Sequence, residues 1–512
     1  MLAAALTLGC SASDEAVVET DAGPVRGVVS GEVRSFQGIP YGAPPVGALR
    51  WRAPEPASPW SELRDATRPG PRCPQVATSY VEIASDTEDC LYLNVTTPRR
   101  ADPHARRPVM VWIHGDGAIG GGDLFDARRL ASEGDVVVVT INYRLGVFGG
   151  FSHPGLIGSG SFGLQDQQLA LRWVQSNAAA FGGDPGNVTL FGVSYGASAI
   201  TAQLTSPAAK GLFHRAILQS SEGMMDMLAG SLGPEVPFDP WMMWATREEQ
   251  DALGLHVAAQ LGCVAPATAL ECLRALPVAR ILEVPAVMHL FQAYVHGESV
   301  LPEVPGEALR SGRSAAMPVL AGHTRDEHRL FVGLFYDLAG APVTAETYPA
   351  LLAAAFGERA AEVAEEYPLA TFDSPGVAWA QVLTDRMWAR ATFEQNTHLS
   401  ARGPTYFYEF AESSEHDLPI PGPLRSGALH NDDVAYLFGD GAELSPARRG
   451  LSGRMIGYWS NFARSGDPNG EGLAAWPRFT GEAPHVQALT AEEIAGTDHV
   501  AAHRLEFWAS FP

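Results

Sequence analysis

Short runs of β-branched and aromatic residues separated by Gly and Pro fill the first third of the chain, at 23–29, 33–37, 91–96, 108–113 and 136–141, and each predicts a strand. The pattern then changes period. Across 165–181 the apolar positions Leu169, Leu171, Trp173 and Val174 fall at helical spacing, and this helix leads into the apolar run Val188-Thr189-Leu190-Phe191. Residues 216–220 and 317–322 read as two further buried strands. Beyond Gly223 the pattern is mostly helical, most clearly at 248–260 and 348–367. Strands that alternate with helices need cover on both sheet faces, which predicts an α/β fold around a large, mainly parallel sheet with helical insertions. Ligands then bind at the carboxyl ends of the strands.

The 512 residues are compatible with one catalytic domain over 20–512, because large α/β enzymes build insertions around a single sheet. There is no internal repeat, and no apolar run is long enough to predict a membrane-spanning helix. With 35 basic and 58 acidic residues the formal net charge is −23, a field that repels nucleic acid and anionic lipid surfaces. Residues 1–19 resemble the tail of a secretory signal, although a basic leader region is missing. Within them, Leu6-Thr7-Leu8-Gly9-Cys10 resembles a lipoprotein cleavage box, so Cys10 is the candidate for a lipid anchor. The other cysteines form two close pairs, Cys73 with Cys90 and Cys263 with Cys272. Such pairs suit two small disulfide loops in an oxidising compartment, hence an exported protein; four buried free thiols are the competing reading.

The candidate chemistry lies at Gly192-Val193-Ser194-Tyr195-Gly196, a G-x-S-x-G box between the 188–191 strand and a helix start. A serine hydroxyl is a weak nucleophile and needs an exposed, tight turn beside a general base. Hydrolases of this architecture order their partners along the chain as nucleophile, acid, histidine. An acid follows the 317–322 strand at Asp326 or Glu327, and spacing leaves both open. The histidine is His430, in a loop before the apolar 434–438 segment. Another strand ends in His114-Gly115-Asp116-Gly117, where backbone N–H groups can face a developing oxyanion.

Taken together, these residues resemble the type-B carboxylesterase family, which includes cholinesterases, some lipases and the non-catalytic neuroligins. The resemblance runs from about Thr20 to the C-terminus. It is carried by Phe36-Gln37-Gly38-Ile39-Pro40-Tyr41, Glu88-Asp89-Cys90-Leu91-Tyr92-Leu93-Asn94-Val95, Asn142-Tyr143-Arg144-Leu145-Gly146, Phe181-Gly182-Gly183-Asp184-Pro185 and Gly466-Asp467-Pro468-Asn469. It implies an α/β-hydrolase fold and a triad of Ser194, Glu327 and His430, which selects Glu327 as the acid. It implies oxyanion donors at the backbone of Asp116, Gly117 and Tyr195, and a supporting role for Ser220 beside the acid–histidine pair. It also implies ion pairs Arg50–Glu88 and Arg144–Asp166, and disulfides Cys73–Cys90 and Cys263–Cys272.

Three departures from the family pattern bear on substrate. Asp116 stands where the family has a glycine, and a carboxylate facing the oxyanion would oppose catalysis, so its side chain is expected to turn away. Val193 and Tyr195 replace a glutamate and an alanine; the change removes a negative charge and narrows the acyl side. The loop between Cys73 and Cys90 carries no tryptophan, which argues against choline esters. The Met224-Met225-Asp226-Met227 and Trp241-Met242-Met243-Trp244 segments either line a gorge or pack the core, with the core favoured. His323, Glu327 and His328 have metal-like spacing without a third-ligand pattern, and ester hydrolysis by this route requires no metal and no organic cofactor. The expected function is hydrolysis of neutral carboxylic esters through an acyl-enzyme, acting on a small-molecule substrate. A non-catalytic surface-binding protein, or a hydrolase of amides, carbamates or lactones, are the alternatives.

Overall fold

In the computed structural model, which describes residues 16–78, 81–99, 106–158, 160–234, 243–418, 420 and 422–511, eleven strands form one sheet. In chain order they are β1 (Val28–Ser30), β2 (Val33–Pro40), β3 (Tyr92–Pro98), β4 (Arg107–Ile113), β5 (Val137–Ile141), β6 (Gly183–Val193), β7 (Arg215–Gln219), β8 (Val319–Thr324), β9 (Thr405–Phe410), β10 (Val486–Leu489) and β11 (Ile494–Thr497). Their spatial order is β11-β10-β9-β8-β7-β6-β4-β5-β3-β2-β1. From β10 through to β5 all neighbours are parallel, and antiparallel strands close both edges. The expected mainly parallel sheet is thus present.

Strand β4 shows why the sheet needs cover on both faces. Val109, Val111 and Ile113 enter one core with Leu190, Leu218 and Ile200, whereas Met110 and Trp112 enter the opposite core with Phe191, Ile217 and Trp459. The successive residues of a strand point to opposite faces, so a strand buried on both sides reads as continuous apolar sequence. Helix α1 (Phe162–Asn177) and helix α2 (Tyr195–Thr205) cover the first face, and helix α3 (Pro446–Ser465) covers the second through Leu451, Met455, Trp459 and Phe462.

Several boundaries differ from the sequence-based expectation. The single strand expected at 23–29 is two, Pro24–Arg26 and Val28–Ser30, in different sheets. They break at Gly27, where a Cβ would lie 2.3 Å from the Ser35 carbonyl oxygen. The helix expected over 348–367 is broken at Gly357 into Tyr348–Phe356 and Ala360–Glu366; Gly357 adopts φ 55° and ψ −125°, which a side chain disfavours. Strand β6 extends well before 188 and includes Pro185, which falls where the β4–β6 register shifts between Arg107 and Val109 and no ladder N–H is needed there. Val17–Glu19 pairs with Pro24–Arg26, so the folded body includes residues N-terminal of the expected boundary at 20. The signal-like leader and Cys10 lie outside the described residues.

Both expected disulfides form, Cys73–Cys90 and Cys263–Cys272. Arg50 holds Glu88 in a two-pronged pair at 2.7 Å, and Arg144 holds Asp166 at 2.7 and 2.8 Å. Among the described residues no helix is long and apolar enough to cross a membrane.

Candidate active site

Five strand ends meet along the carboxyl edge of the sheet. Asp116 and Gly117 follow β4, Ser194 follows β6, Ser220 follows β7, Glu327 follows β8, and His430 lies in the long connection after β9. Ser194 occupies the turn between β6 and α2 with φ 56° and ψ −126°, a strained backbone for a residue other than glycine. The turn fits because Gly192 and Gly196 carry no side chains: a Cβ on either would approach the Ile113 carbonyl oxygen to 2.5 or 2.2 Å. The Ser194 N–H donates to the Gln219 carbonyl at 2.8 Å, which ties the elbow to β7.

The two candidate acids have different partners. Glu327 Oε2 lies 2.5 Å from His430 Nδ1, while its Oε1 accepts from Ser220 Oγ at 2.6 Å and from the Thr324 N–H at 2.8 Å. Asp326 does not meet His430; it exchanges hydrogen bonds with the backbone of Ala428, 2.9 Å each way, and pairs with Arg329. Glu327 therefore orients the imidazole, and Asp326 fixes the loop that carries it. His430 packs against the rings of Phe331 and Trp388, which stack on each other, with centroids 4.9 and 4.8 Å from the imidazole. Burial opposes charge on His430, but the Glu327 carboxylate and its hydrogen bond outweigh burial and hold the imidazole pKa above 6.5. Burial likewise favours a neutral Glu327, and the charge and hydrogen bonding of His430 reverse this and keep it below the usual carboxylate range.

At the β4 turn, Asp116 has φ 70° and Gly117 φ 79°. The Asp116 carboxylate bends back on its own loop, where Oδ1 accepts from the N–H groups of Ala118 at 3.0 Å and Ile119 at 3.2 Å. Its carbonyl accepts from Gln292 Nε2 at 2.5 Å. The Gly117 N–H donates to the Gly115 carbonyl at 3.0 Å, so this candidate donor is already engaged in a tight turn. Tyr195 is the first residue of α2, where backbone N–H groups have no partner within the helix. Its ring lies flat against the Gly117 backbone, so closely that a Cβ there would come within 2.6 Å of it, and its hydroxyl donates to the Gln292 carbonyl at 2.9 Å. His114 is buried and its pKa falls to about 4, so it is neutral and stacks on Tyr143.

A cavity of about 1080 Å³ opens onto Ser194 and His430. Its walls are largely apolar and include Leu330, Phe331, Leu334, Phe335, Met227, Leu232 and Trp244, with Phe331 against the histidine. The methionine-rich segment is divided: Met227 reaches the cavity, while Met224, Met225 and Met243 pack into the core. Trp244 also lines the cavity, and Trp241 and Met242 lie outside the described residues.

Among the lining residues outside the sequence motifs, Glu222 bears most directly on the chemistry. Glu222, two residues beyond Ser220, faces the cavity; burial, together with the nearby Asp116 and Glu327 charges and against the pull of His430, raises its carboxyl to about 7. A titratable carboxyl thus stands in the site at Glu222, although Val193 takes the position of the family's glutamate. Nothing in local spacing marks Glu222, because its place depends on the turn after β7. His328 is also accounted for: its Nδ1 accepts from Trp388 Nε1 at 3.0 Å and its Nε2 bonds the Ser231 carbonyl at 2.9 Å.

An open α/β sheet with a serine elbow and an acid–histidine pair on its carboxyl edge defines an α/β-hydrolase. The carboxylesterase family model matches residues 14–508, and the chain belongs to that family of carboxylic ester hydrolases. It is 34% identical to a pyrethroid hydrolase of Mus musculus over 96% of this chain and 92% of that protein. It is also 34% identical to the para-nitrobenzyl esterase of Bacillus subtilis (strain 168), over 96% and 99%. A solved thermophilic pNB esterase superposes with a TM-score of 0.78 at 31% identity, covering 96% of this chain and 99% of that one.

Proposed function

We propose that this carboxylesterase cleaves neutral, predominantly apolar esters by attack of Ser194 on the acyl carbon. His430 accepts the Ser194 proton and returns it to the leaving alkoxide; water then repeats the cycle on the acyl-enzyme. Glu327 holds the imidazole in the tautomer that leaves Nε2 free and stabilises the imidazolium, and Ser220 and the Thr324 amide keep Glu327 in place. The backbone amides of Asp116 and Tyr195 serve the oxyanion, and the Gly117 amide is shared with the Gly115 carbonyl until the substrate oxygen competes for it. The observation that carries the reading is the 2.5 Å contact from Glu327 to His430 beside the strained Ser194 elbow.

The cavity's size and walls support bulky acyl or aryl groups, in keeping with relatives named for para-nitrobenzyl and pyrethroid esters. The turned-aside Asp116 carboxylate weighs against a non-catalytic binding role, which would have rested on a spoiled oxyanion site. Two disulfides support an oxidising, exported location.

The test is hydrolysis of p-nitrophenyl acetate, butyrate and octanoate by wild type and Ser194→Ala. Turnover should fall by about 10³-fold or more in the variant, and the wild type should favour the longer acyl chains in kcat/KM. A folded wild type inactive on all three esters would overturn the proposal.

A further inference from the structure

Away from the cavity, four buried side chains converge under the β8–β9 side of the sheet: His323 of β8, Glu409 of β9, and His499 and His503 from the C-terminal segment. One ligand atom from each lies within 4.8 Å of every other. His499 and His503 sit four positions apart on the short helix α4 (His499–Ala502) and its C-cap, a spacing that puts both rings on one face.

The outward nitrogens are tied back. His323 Nδ1 bonds the Thr324 carbonyl at 2.8 Å, and His503 Nδ1 bonds Asp385 at 2.6 Å. This leaves the Nε2 atoms facing inward, where His323 Nε2 meets His499 Nε2 at 2.7 Å and His503 Nε2 meets Glu409 at 2.6 Å. Asp385 is itself held by Tyr367, Gln381 and Arg504. A carboxylate or backbone carbonyl behind the imidazoles of His323 and His503 is the arrangement that orients histidines toward a metal; His499 has none behind it. Phe393, Phe407 and Phe479 form a dry wall beside the cluster.

We infer that His323, Glu409, His499 and His503 bind a divalent transition-metal ion, with Zn²⁺ the best match, as a structural centre separate from the ester site. Three imidazole nitrogens and one carboxylate oxygen suit a tetrahedral borderline cation better than Ca²⁺ or Mg²⁺, which take oxygen ligands. Bonds of about 2.1 Å set ligand atoms about 3.4 Å apart, so the two close contacts need open by less than about 1 Å. A cation also resolves the His323–His499 contact, where two acceptor lone pairs otherwise face each other unless His499 supplies a proton; His499 Nδ1 lacks a partner in either state. The ion would join the C-terminal helix to β8 and β9. Through Thr324, whose carbonyl takes His323 and whose N–H holds Glu327, it would also brace the triad acid.

The experiment uses the full, untagged chain produced in zinc-supplemented medium. Wild type should retain about one equivalent of zinc after desalting, and refolding with Co²⁺ should give the visible d–d bands of a tetrahedral nitrogen–oxygen site. His499→Ala should lose most of the bound metal, and a chelator should lower the wild-type melting temperature. Should the variant fail to fold, the wild-type metal content and cobalt spectrum decide the matter alone. Wild type with under about a tenth of an equivalent and no response to chelator would overturn the site, leaving His503 as an imidazolium between Asp385 and Glu409. Metal held equally by wild type and a folded His499→Ala would overturn it as well, placing the ion elsewhere.

Discussion

Glu222 is the residue whose consequence for catalysis is easiest to read. Its carboxyl, raised to about 7, stands near His430 and is one of the charges that raise the imidazole pKa. In the proposed mechanism His430 acts as the base and must be neutral to accept a proton, so kcat/KM should rise with pH along a limb centred above 6.5. Glu222→Gln removes a negative charge that favours the imidazolium; the limb should therefore move to lower pH, with kcat at high pH little changed. A pH profile with p-nitrophenyl butyrate measures this, and an unmoved limb would show that Glu222 is too well screened to matter. Residues of this kind explain what sequence could and could not reveal. Ser194, the proposed nucleophile, is legible because such a role needs a local turn with glycines on both sides. Glu327 and Asp326 are neighbours with equal claims on spacing alone; the family resemblance selects Glu327, and in the fold Glu327 meets His430 while Asp326 holds Ala428.

Elements were legible where their period was clean and blurred where a single glycine or a distant partner set the boundary. Strands β4 and β5 fall within a residue of their expected limits because both faces are buried and the apolar run is uninterrupted. The break at Gly27 depends on the carbonyl of Ser35, which no local window contains. Long-range ties likewise hold the loops around the site. Arg50 is buried with Glu88, whose loop closes at the Cys73–Cys90 bridge, and its remaining nitrogen, Nη1, donates to the Leu273 and Leu276 carbonyls beside the other bridge. Breaking the pair in Glu88→Ala leaves a buried cation without its counterion and should cost about 3–5 kcal/mol. The double variant Arg50→Met/Glu88→Leu should recover much of that, since well-packed apolar groups remove both desolvated charges. Urea unfolding of the three proteins provides the check; a double variant no better than Glu88→Ala would mean that the carbonyl contacts of Arg50, and not its charge pairing, are what the loops need.

For the molecule as a whole, composition and site point the same way. The net charge is −23, and the described cavity lining contains Asp116, Glu222 and Glu249 but no lysine or arginine. An anionic ester must therefore approach against both the overall field and the local one, whereas a neutral ester feels neither. Screening shortens the reach of that field from about 30 Å at 0.01 M salt to about 8 Å at 0.15 M. Across this range kcat/KM for monomethyl adipate should rise severalfold while that for methyl hexanoate stays nearly flat, since the two differ chiefly in the terminal carboxylate. A pH-stat assay at constant pH measures both. Equal salt slopes would mean that the acidic surface does not govern entry and that the apolar walls alone select the substrate. Unequal slopes of the predicted kind would tie the acidic surface to a preference for neutral esters, a link that neither the triad geometry nor the fold supplies.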